Sequence, residues 1–276
     1  PYYVLDYTES FSKNVVDNFT QMYAQGLTPN PCVECNRSVK FDHFISQAKK
    51  LNCDKVATGH YAKIIKKNNE YELHKADYLD KDQSYVLHML KSSDLENITF
   101  PLGEISKPDV RQIAARIGLK TAFKKDSQDI CFVGKKDYRS FVEKRIDLTA
   151  PGEILDTEGN KVGDHNGIHE FTVGQRKGLP GGYGSPRYVT KINVQNKNVT
   201  IGERNDLLVS SFIVEELSCV NDLEYKNLTI QTRYNSEDLP CEIKKLSDTK
   251  VLVQLKEPAF SVAPGQFGVI YNGTKV

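Results

Sequence analysis

The pair Cys32 and Cys35 is the first feature of this sequence that could do chemistry. Two thiols at this spacing, in a chain without a secretory signal, are typical of a metal site or of redox chemistry. Zinc would need two further ligands, but no second cysteine pair is present, and the nearest histidines, His43 and His60, lie in unrelated patterns. A thioredoxin-like pair would begin a helix, where the thiol pKa falls. The pair could also be two inert, buried side chains.

A second candidate is Cys131, which lies in a polar loop between four lysines, Lys124, Lys125, Lys135 and Lys136. Positive charge stabilises a thiolate and attracts polyanions. A cysteine in such a loop could be a nucleophile or a group carrier. The alternative is an incidental thiol, and the residue pattern alone does not decide between them.

The histidines do not add a metal centre to this picture. His165 and His169 are four residues apart, a spacing that faces one ion only on a helix. Gly163 and Gly167 disfavour a helix there, so we expect two surface histidines. The sequence therefore predicts no structural metal.

Charge and hydropathy limit the class of protein that carries these residues. The 276 residues include 37 Lys or Arg and 36 Asp or Glu, a net charge of +1, which excludes a globally cationic nucleic-acid binder. Residues 111–145 nevertheless hold ten basic and four acidic residues. No apolar run approaches the roughly 18 residues of a membrane span, and the first residues do not form a signal peptide. We expect a cytoplasmic protein without a membrane partner, and a fragment, since the chain lacks an initiator Met.

The elements that must position the cysteines follow from hydrophobic periodicity. Helical spacing predicts a helix over Glu9–Gly26 and another from about Ser38 to Leu51. Between them, prolines at 29 and 31 predict a rigid loop that carries Cys32 and Cys35. Lys55–His60 is predicted to be a short buried strand, so helix and strand together indicate a parallel α/β sheet with ligand groups at strand carboxyl ends.

Further along the chain the pattern changes from mixed to β-rich. Tyr61–Ala76 predicts a hairpin turning at Asn68-Asn69, and Gln83–Lys91 a helix. Another helix is expected to begin at Ser106, with Val110, Ile113, Ala114 and Ile117 facing inward. Past about residue 148, short strands and turns indicate a β-rich connector and then a small barrel or sandwich. We therefore expect three units, at 1–148, 149–206 and 207–276.

Six segments of the sequence together resemble one enzyme family. The segments, in order, are Thr28-Pro29-Asn30-Pro31-Cys32-x-x-Cys35-Asn36, Ala57-Thr58-Gly59-His60-Tyr61, Lys81-Asp82-Gln83-Ser84-Tyr85, Asp126-Ser127-x-x-Ile130-Cys131-Phe132, Gly174-Gln175-Arg176-Lys177-Gly178-Leu179 and Arg233-Tyr234. Each is weak by itself, but the set and its order resemble the bacterial tRNA-specific 2-thiouridylases. The resemblance implies a truncated Rossmann-like domain of the adenine nucleotide α-hydrolase type, a small β-rich central domain and a C-terminal β-barrel.

The resemblance also implies a reaction, which is ATP-dependent transfer of sulfur to C2 of the wobble uridine of tRNA. Cys131 would bear a persulfide supplied by a sulfur-relay protein, and Cys35 would be its partner nucleophile, closing a transient disulfide or releasing sulfide. Gly59 would contact ATP, with Mg²⁺ expected. The residues expected at the target base are Asn30, Pro31 and Cys32, and those expected elsewhere along the tRNA are His60, Lys81, Asp82, Gln83, Arg233, Tyr234 and Gln266.

Two departures from the family pattern keep alternatives open. The family's ATP-binding Ser-Gly-Gly-x-Asp-Ser loop does not occur in these residues, so the chain as printed is expected to be inactive without it. Some members carry an acid at the position of Cys32, so a base there is in doubt. The alternatives are a non-catalytic tRNA-binding module, and a thiol-disulfide oxidoreductase that uses Cys32 and Cys35 alone.

Overall fold

The structure is a computed structural model that describes residues 2–126, 130–134, 137–147, 150–218 and 227–276. In the first of the described ranges, helix α1 runs through an α-helical turn, Thr8–Phe11, a π-helical segment, Ser12–Asp17, and a second α-helical segment, Asn18–Ala24. Gly26 follows with φ +67°, the left-handed conformation that ends many helices. The first predicted helix is thus confirmed, with a π segment that periodicity did not indicate.

Helix α2 begins earlier than predicted. It consists of α-helical Pro31–Glu34, π-helical Cys35–Phe41 and α-helical Asp42–Lys50. The prediction of a loop through Asn36 and a helix from about Ser38 is wrong because Asn30 caps the helix and Pro31 takes its first position, where a missing N–H costs nothing. Both cysteines of the pair are therefore helical.

Two short parallel strands follow helix α2, and they confirm the predicted parallel pairing. Strand β1, Val56–Ala57, pairs with β4, Ile98–Thr99. Between them lies the hairpin of β2, Lys63–Lys67, and β3, Glu70–His74, whose turn residues Asn68 and Asn69 both have positive φ as predicted.

The connecting helices depart from expectation in two places. Ser84–Leu87 is a single 3₁₀ turn where a helix over Gln83–Lys91 was predicted, another 3₁₀ turn spans Leu79–Lys81, and α3 covers Ser92–Leu95. Helix α4, Lys107–Arg116, begins at the predicted cap Ser106. Its apolar face is not buried: Ile113 is 39% and Ile117 64% exposed, since no described residue covers that face. Helix α5, Tyr138–Glu143, is the last α-helix among the described residues and precedes the β-rich part of the chain.

The remaining strands form two sheets, as the β-rich pattern predicted. The central sheet has the order β6-β5-β8-β7, from β5 Gly152–Leu155, β6 Lys161–His165, β7 Tyr188–Asn193 and β8 Asn198–Gly202, with β5 and β8 parallel. The 3₁₀ turns Ile168–Glu170 and Arg204–Leu207 flank β7 and β8. The last sheet is antiparallel in the order β13-β10-β11-β12-β9, from β9 Leu208–Val214, β10 Leu228–Gln231, β11 Leu239–Lys245, β12 Val251–Phe260 and β13 Val269–Asn272.

The C-terminal sheet packs directly on the first domain and shares its core. Val269 and Tyr271 of β13 are buried in the same hydrophobic cluster as Phe41 and Tyr85. Val276 N–H donates to the Leu73 carbonyl at 2.9 Å, and so continues the hairpin. This junction brings loops of the last domain next to helix α2. No described helix is long and apolar enough to cross a membrane.

Candidate active site

The start of helix α2 is fixed by local chemistry and determines where the cysteine pair lies. The Asn30 side-chain oxygen accepts a hydrogen bond from Cys32 N–H at 3.2 Å, and the Pro31 ring is buried. Cys32 is exposed and Cys35 half-buried, one turn apart at the helix beginning. This is the placement that a reactive pair requires, because a helix N-terminus favours a thiolate.

The structure brings Cys131 to this pair. A charge on Cys131 raises the pKa of both Cys32 and Cys35, although desolvation by the surrounding protein is the larger cause in each case. All the described cysteines are free thiols, and Cys131 itself is exposed. Three thiols from two distant segments of the chain therefore share one electrostatic neighbourhood without being bonded. Cys241 is buried in the C-terminal sheet, while Cys219 lies outside the described residues.

An aromatic cluster holds the segment that carries Cys131. The ring of Phe132, the next residue, packs edge-on against Phe11 at 5.5 Å and Phe19 at 5.3 Å, and it also contacts Phe141 at 5.2 Å. Helix α1 thus anchors the Cys131 segment through its neighbour, and leaves the thiol free. Ser127–Asp129, Lys135 and Lys136 lie outside the described residues.

Two loops of the C-terminal domain complete the rim of the site. The Tyr234 hydroxyl hydrogen bonds to Gln83, and Cys32 and Asp82 raise its pKa after the larger effect of desolvation. Tyr85 donates to the Phe267 carbonyl at 2.9 Å and hydrogen bonds to Asn30, and desolvation raises its pKa. The predicted residues Asn30, Cys32, Asp82, Gln83 and Tyr234 therefore lie together, with Tyr85 between them.

Arg233 and Gln266 are placed at domain junctions. An Arg233 guanidinium nitrogen donates to the Val173 carbonyl at 3.1 Å and to Ser261 Oγ at 3.0 Å. The Gln266 side chain donates to the Thr28 carbonyl at 2.7 Å, so it clamps the segment before helix α2. Both side chains hold the three domains around the cysteines.

Lys81 and Asp82 have distinct environments. Lys81 Nζ lies 3.1 Å from Asp126 Oδ2, and the other Asp126 oxygen pairs with Lys107 at 3.1 Å and Arg111 at 3.7 Å. Hydrogen bonds from Lys107 first, and then from Lys81, lower the pKa of Asp126. The Asp82 carboxylate accepts from Ala76 N–H at 2.7 Å and from the Ser84 hydroxyl, and desolvation raises its pKa. Asp82 thus shapes the turn that presents Lys81 and Gln83.

Gly59 and His60 follow the carboxyl end of β1, where open α/β sheets bind ligands. A Cβ on Gly59 would meet only Leu102 Cδ1, at 3.7 Å, so space beside the backbone is open and fits the approach of a nucleotide. His60 is 9% exposed between Phe41 and Phe100, and hydrogen bonds to Thr58 Oγ1 at 2.7 Å. Desolvation, with a smaller effect of Lys40, lowers its pKa to about 4, so the ring is neutral.

Two residues at the site were missed by sequence reasoning. Asn36 is buried and donates to the Val86 carbonyl at 2.9 Å, which ties helix α2 to the 3₁₀ turn at Ser84–Leu87. Lys40 lowers the pKa of Cys35 and of Cys32. Asn36 could have been found in the sequence, because it belongs to the first of the six segments that resemble the enzyme family. Nothing in the sequence indicated Lys40, because its position relative to Cys35 depends on the π-helical segment.

The histidine prediction is wrong. His165 is 6% and His169 2% exposed, because each ring has a partner: His165 contacts the Lys197 carbonyl at 2.9 Å, and His169 contacts Glu143 Oε1 at 3.1 Å. Among the described residues, Glu143, His169 and Glu170 are the one group whose ligand atoms could reach a common ion, and they contain no cysteine.

Comparisons with known proteins agree with this architecture in all three parts. Residues 1–135 match the family described as tRNA methyl transferase HUP domain, 139–203 the tRNA methyl transferase PRC-barrel domain, and 209–276 the aminomethyltransferase beta-barrel domain. The Rossmann-like, central β-rich and C-terminal β-barrel classes predicted from the resemblance are thereby confirmed.

Curated relatives share the whole length of the chain. A tRNA-specific 2-thiouridylase of Chloroflexus aurantiacus is 42% identical over 281 aligned residues, which cover 100% of this chain and 78% of the relative. The enzyme of the same name from Rickettsia prowazekii is 41% identical with the same coverage, and that from Lachnoclostridium phytofermentans is 40% identical over 99% of this chain and 78% of the relative. This chain belongs to the tRNA-specific 2-thiouridylase family.

Proposed function

We propose that this protein carries out ATP-dependent 2-thiolation of the wobble uridine of tRNA, with sulfur delivered from a persulfide on Cys131. The observation that carries the proposal is the convergence of Cys131, Cys35 and Cys32 beside Asn30 and Tyr234, in a chain of this family. A sulfur-transfer reaction needs one cysteine to carry the sulfur and a second to release it. We place the reaction in the cytoplasm, with its tRNA substrate.

The proposed sulfur transfer uses two of the thiols that the structure brings together, Cys131 and Cys35. ATP, with Mg²⁺ on its phosphates, supplies the activation of the uracil C2 oxygen. The terminal sulfur of the Cys131 persulfide attacks C2, and the activated oxygen leaves with its electron pair. Cys35 thiolate then attacks Cys131 Sγ, the persulfide S–S bond breaks, and its electron pair stays on the sulfur now bound to C2. The products are 2-thiouridine and a Cys35–Cys131 disulfide.

The other site residues are proposed to hold the tRNA and the flipped base. Asn30, Pro31 and Cys32 are proposed to line the site of the target base, with Cys32 exposed beside Cys131 and the buried Pro31 fixing the backbone between the other two. Tyr234, 40% exposed, is proposed to contact tRNA directly, and Lys81, 39% exposed, to do so by exchanging Asp126 for a phosphate. Asp82, Gln83, Arg233 and Gln266 act by shaping that surface. The neutral ring of His60 lies beneath this proposed tRNA surface, and Gly59 is proposed to lie next to the bound nucleotide.

The three family matches support a division of the chain at 1–148, 149–206 and 207–276. We infer that a persulfide-donating relay protein loads Cys131, which is exposed for such an exchange. Activation of the uridine is the step expected of the Ser-Gly-Gly-x-Asp-Ser loop, which these 276 residues do not contain. The chain is therefore proposed to need that segment for turnover.

The test is nucleoside mass spectrometry of tRNA after incubation with ATP and a persulfide donor. The assay compares this chain alone with the chain joined to the ATP-binding segment of a family member. We expect 2-thiouridine only with the joined form, and its loss in Cys131→Ser and Cys35→Ser. Cys53→Ser, which removes an exposed thiol elsewhere, is the matched control and keeps activity. Retained tRNA binding without any product would refute the enzyme proposal in favour of a binding module.

Disulfide mapping of the stalled enzyme separates the proposal from a thiol-disulfide oxidoreductase. After a single turnover without reductant, we expect a bond between Cys35 and Cys131. A bond between Cys32 and Cys35 instead would favour the oxidoreductase. Because all the described cysteines are free in the resting protein, either bond would be a product of reaction.

A further inference from the structure

Lys40 and Cys35 lie in the same π-helical segment of helix α2, and this register brings their sides of the helix together. Asp42 N–H donates to the Arg37 carbonyl five residues back, the pattern that defines a π-helix. Two residues five apart point about 140° away from each other on an α-helix of 3.6 residues per turn. The extra residue in a π turn brings them toward one face. Cys35 and Lys40, the fifth residue after it, are such a pair within Cys35–Phe41.

The charge of Lys40 is felt by three groups of the site. It lowers the pKa values of Cys32, Cys35 and His60, and these three side chains come from two different segments. Lys40 is exposed and has no ion pair or hydrogen bond with any described side chain. By contrast, the nearby Arg37 is engaged by Glu34 at 2.6 Å. Within the π-helical segment of helix α2, Lys40 is thus a cation that no described side chain neutralises.

The groups around Cys35 otherwise all disfavour its thiolate. Desolvation, Cys131, Cys32 and Glu34 raise the pKa of Cys35, and Lys40 alone opposes them. A thiol that must attack a sulfur atom does so as thiolate. Among the charged side chains described around Cys35, the Lys40 ammonium, one π turn further along the helix, is therefore the one that favours the thiolate.

We propose that Lys40 is a positioning residue that favours the thiolate form of Cys35 for its attack on Cys131. This inference rests on the proposed function for the identity of the attacked sulfur. In that step Cys35 must be deprotonated beforehand, since the electron pair that forms the Cys35–Cys131 bond is the thiolate lone pair. The Lys40 ammonium compensates this negative charge before the attack and is not itself consumed.

The test measures the reactivity of Cys35 in the protein without tRNA or ATP. Alkylation by iodoacetamide is followed across pH, and fragment ions in peptide mass spectrometry separate Cys35 from Cys32. Below the thiol pKa, each unit by which that pKa rises slows alkylation tenfold. We expect Lys40→Gln to slow Cys35 about threefold to tenfold and to move its profile to higher pH.

Two further variants distinguish charge from shape. Lys40→Arg keeps the positive charge and is expected to retain the wild-type profile. Lys49→Gln removes a lysine from the continuation of the same helix and should leave Cys35 unaffected. Circular dichroism confirms that each variant is folded before its profile is compared.

Each outcome decides the inference independently of the tRNA reaction. Superimposable Cys35 profiles for wild type and Lys40→Gln would overturn it, as would an equal loss in Lys40→Arg. A shifted profile with no 2-thiouridine formed in the joined enzyme would leave the role of Lys40 standing and refute the proposed function. A wild-type Cys35 alkylation profile in Lys40→Gln, together with full 2-thiouridine formation, would refute the role of Lys40 and support the proposed function.

Discussion

The buried imidazole of His60 predicts how the first domain responds to acid. Its ring lies between Phe41, 5.8 Å away, and Phe100, 5.9 Å away, and is 9% exposed. Protonation would place a charge in this apolar setting near the Lys40 ammonium. Its pKa is accordingly lowered from 6.5 to about 4.

The magnitude follows from the difference between the folded and unfolded pKa values. Between about pH 4 and 6.5 the unfolded chain binds a proton at this position and the folded chain does not, so stability falls as pH falls. The full contribution is present above pH 6.5. With these two values, His60 accounts for a loss of about 2 kcal/mol on going from about pH 7.5 to pH 5.

Urea unfolding followed by far-ultraviolet circular dichroism measures this loss, because the α- and π-helices of the described residues all lie in the first part of the chain. His60→Gln, which cannot titrate, is expected to show a smaller loss between the two pH values by about 2 kcal/mol. His88, whose pKa desolvation also lowers to about 4, supplies the matched comparison: His88→Gln should remove a similar part of the loss. A His60→Gln stability profile parallel to that of the wild type across pH would refute the reasoning.

Three further expectations follow from contacts at the site. Asn30→Ala removes the cap of helix α2 and should lower the free energy of unfolding by about 1 kcal/mol, while Asn30→Ser, which can still cap, should cost less; urea unfolding compares them. Gly174→Ala would place a Cβ 2.0 Å from Ser261 Oγ at a φ of +88°, so we expect a lower melting temperature and faster proteolysis between the central and last domains. Asp126→Asn frees Lys81, Lys107 and Arg111, and should tighten tRNA binding with a steeper salt dependence in filter-binding assays, whereas unchanged binding would place the tRNA elsewhere.

The sequence predicts those parts of the fold that depend on interactions between neighbouring residues. Asn68-Asn69 predicts the hairpin turn because asparagine tolerates positive φ, and Gly26 predicts the end of helix α1 for a related reason. The short apolar strand after a helix indicated β1 and a parallel sheet, although its partner β4 was not predicted. Separate segments that resemble the family also lie together, because Tyr85 hydrogen bonds to Asn30 and Tyr234 hydrogen bonds to Gln83.

Long-range packing decided the features that sequence reasoning missed. Strand β11 was not predicted, since Pro240 and the charges at Glu242, Lys244 and Lys245 mask its period-two pattern, yet it pairs with both β10 and β12. Periodicity found the apolar face of α4 but could not tell whether another segment covers it. The burial of His165 and His169 depends on partners brought from distant residues.

The π segment of helix α2 shows why the sequence does not predict every residue of the candidate site. A π turn has poorer hydrogen-bond geometry than an α turn, so local propensity never favours it. Here tertiary contacts compensate: Phe41 is buried in the main core, and Asn36 binds the Val86 carbonyl. With these two residues facing the core at opposite ends of the segment, the helix accommodates one extra residue between them, which places Lys40 nearer the Cys35 side than an α-helix would. The electrostatic environment of Cys35, the proposed nucleophile, thus depends on how helix α2 packs, while the cysteine itself is visible in the sequence.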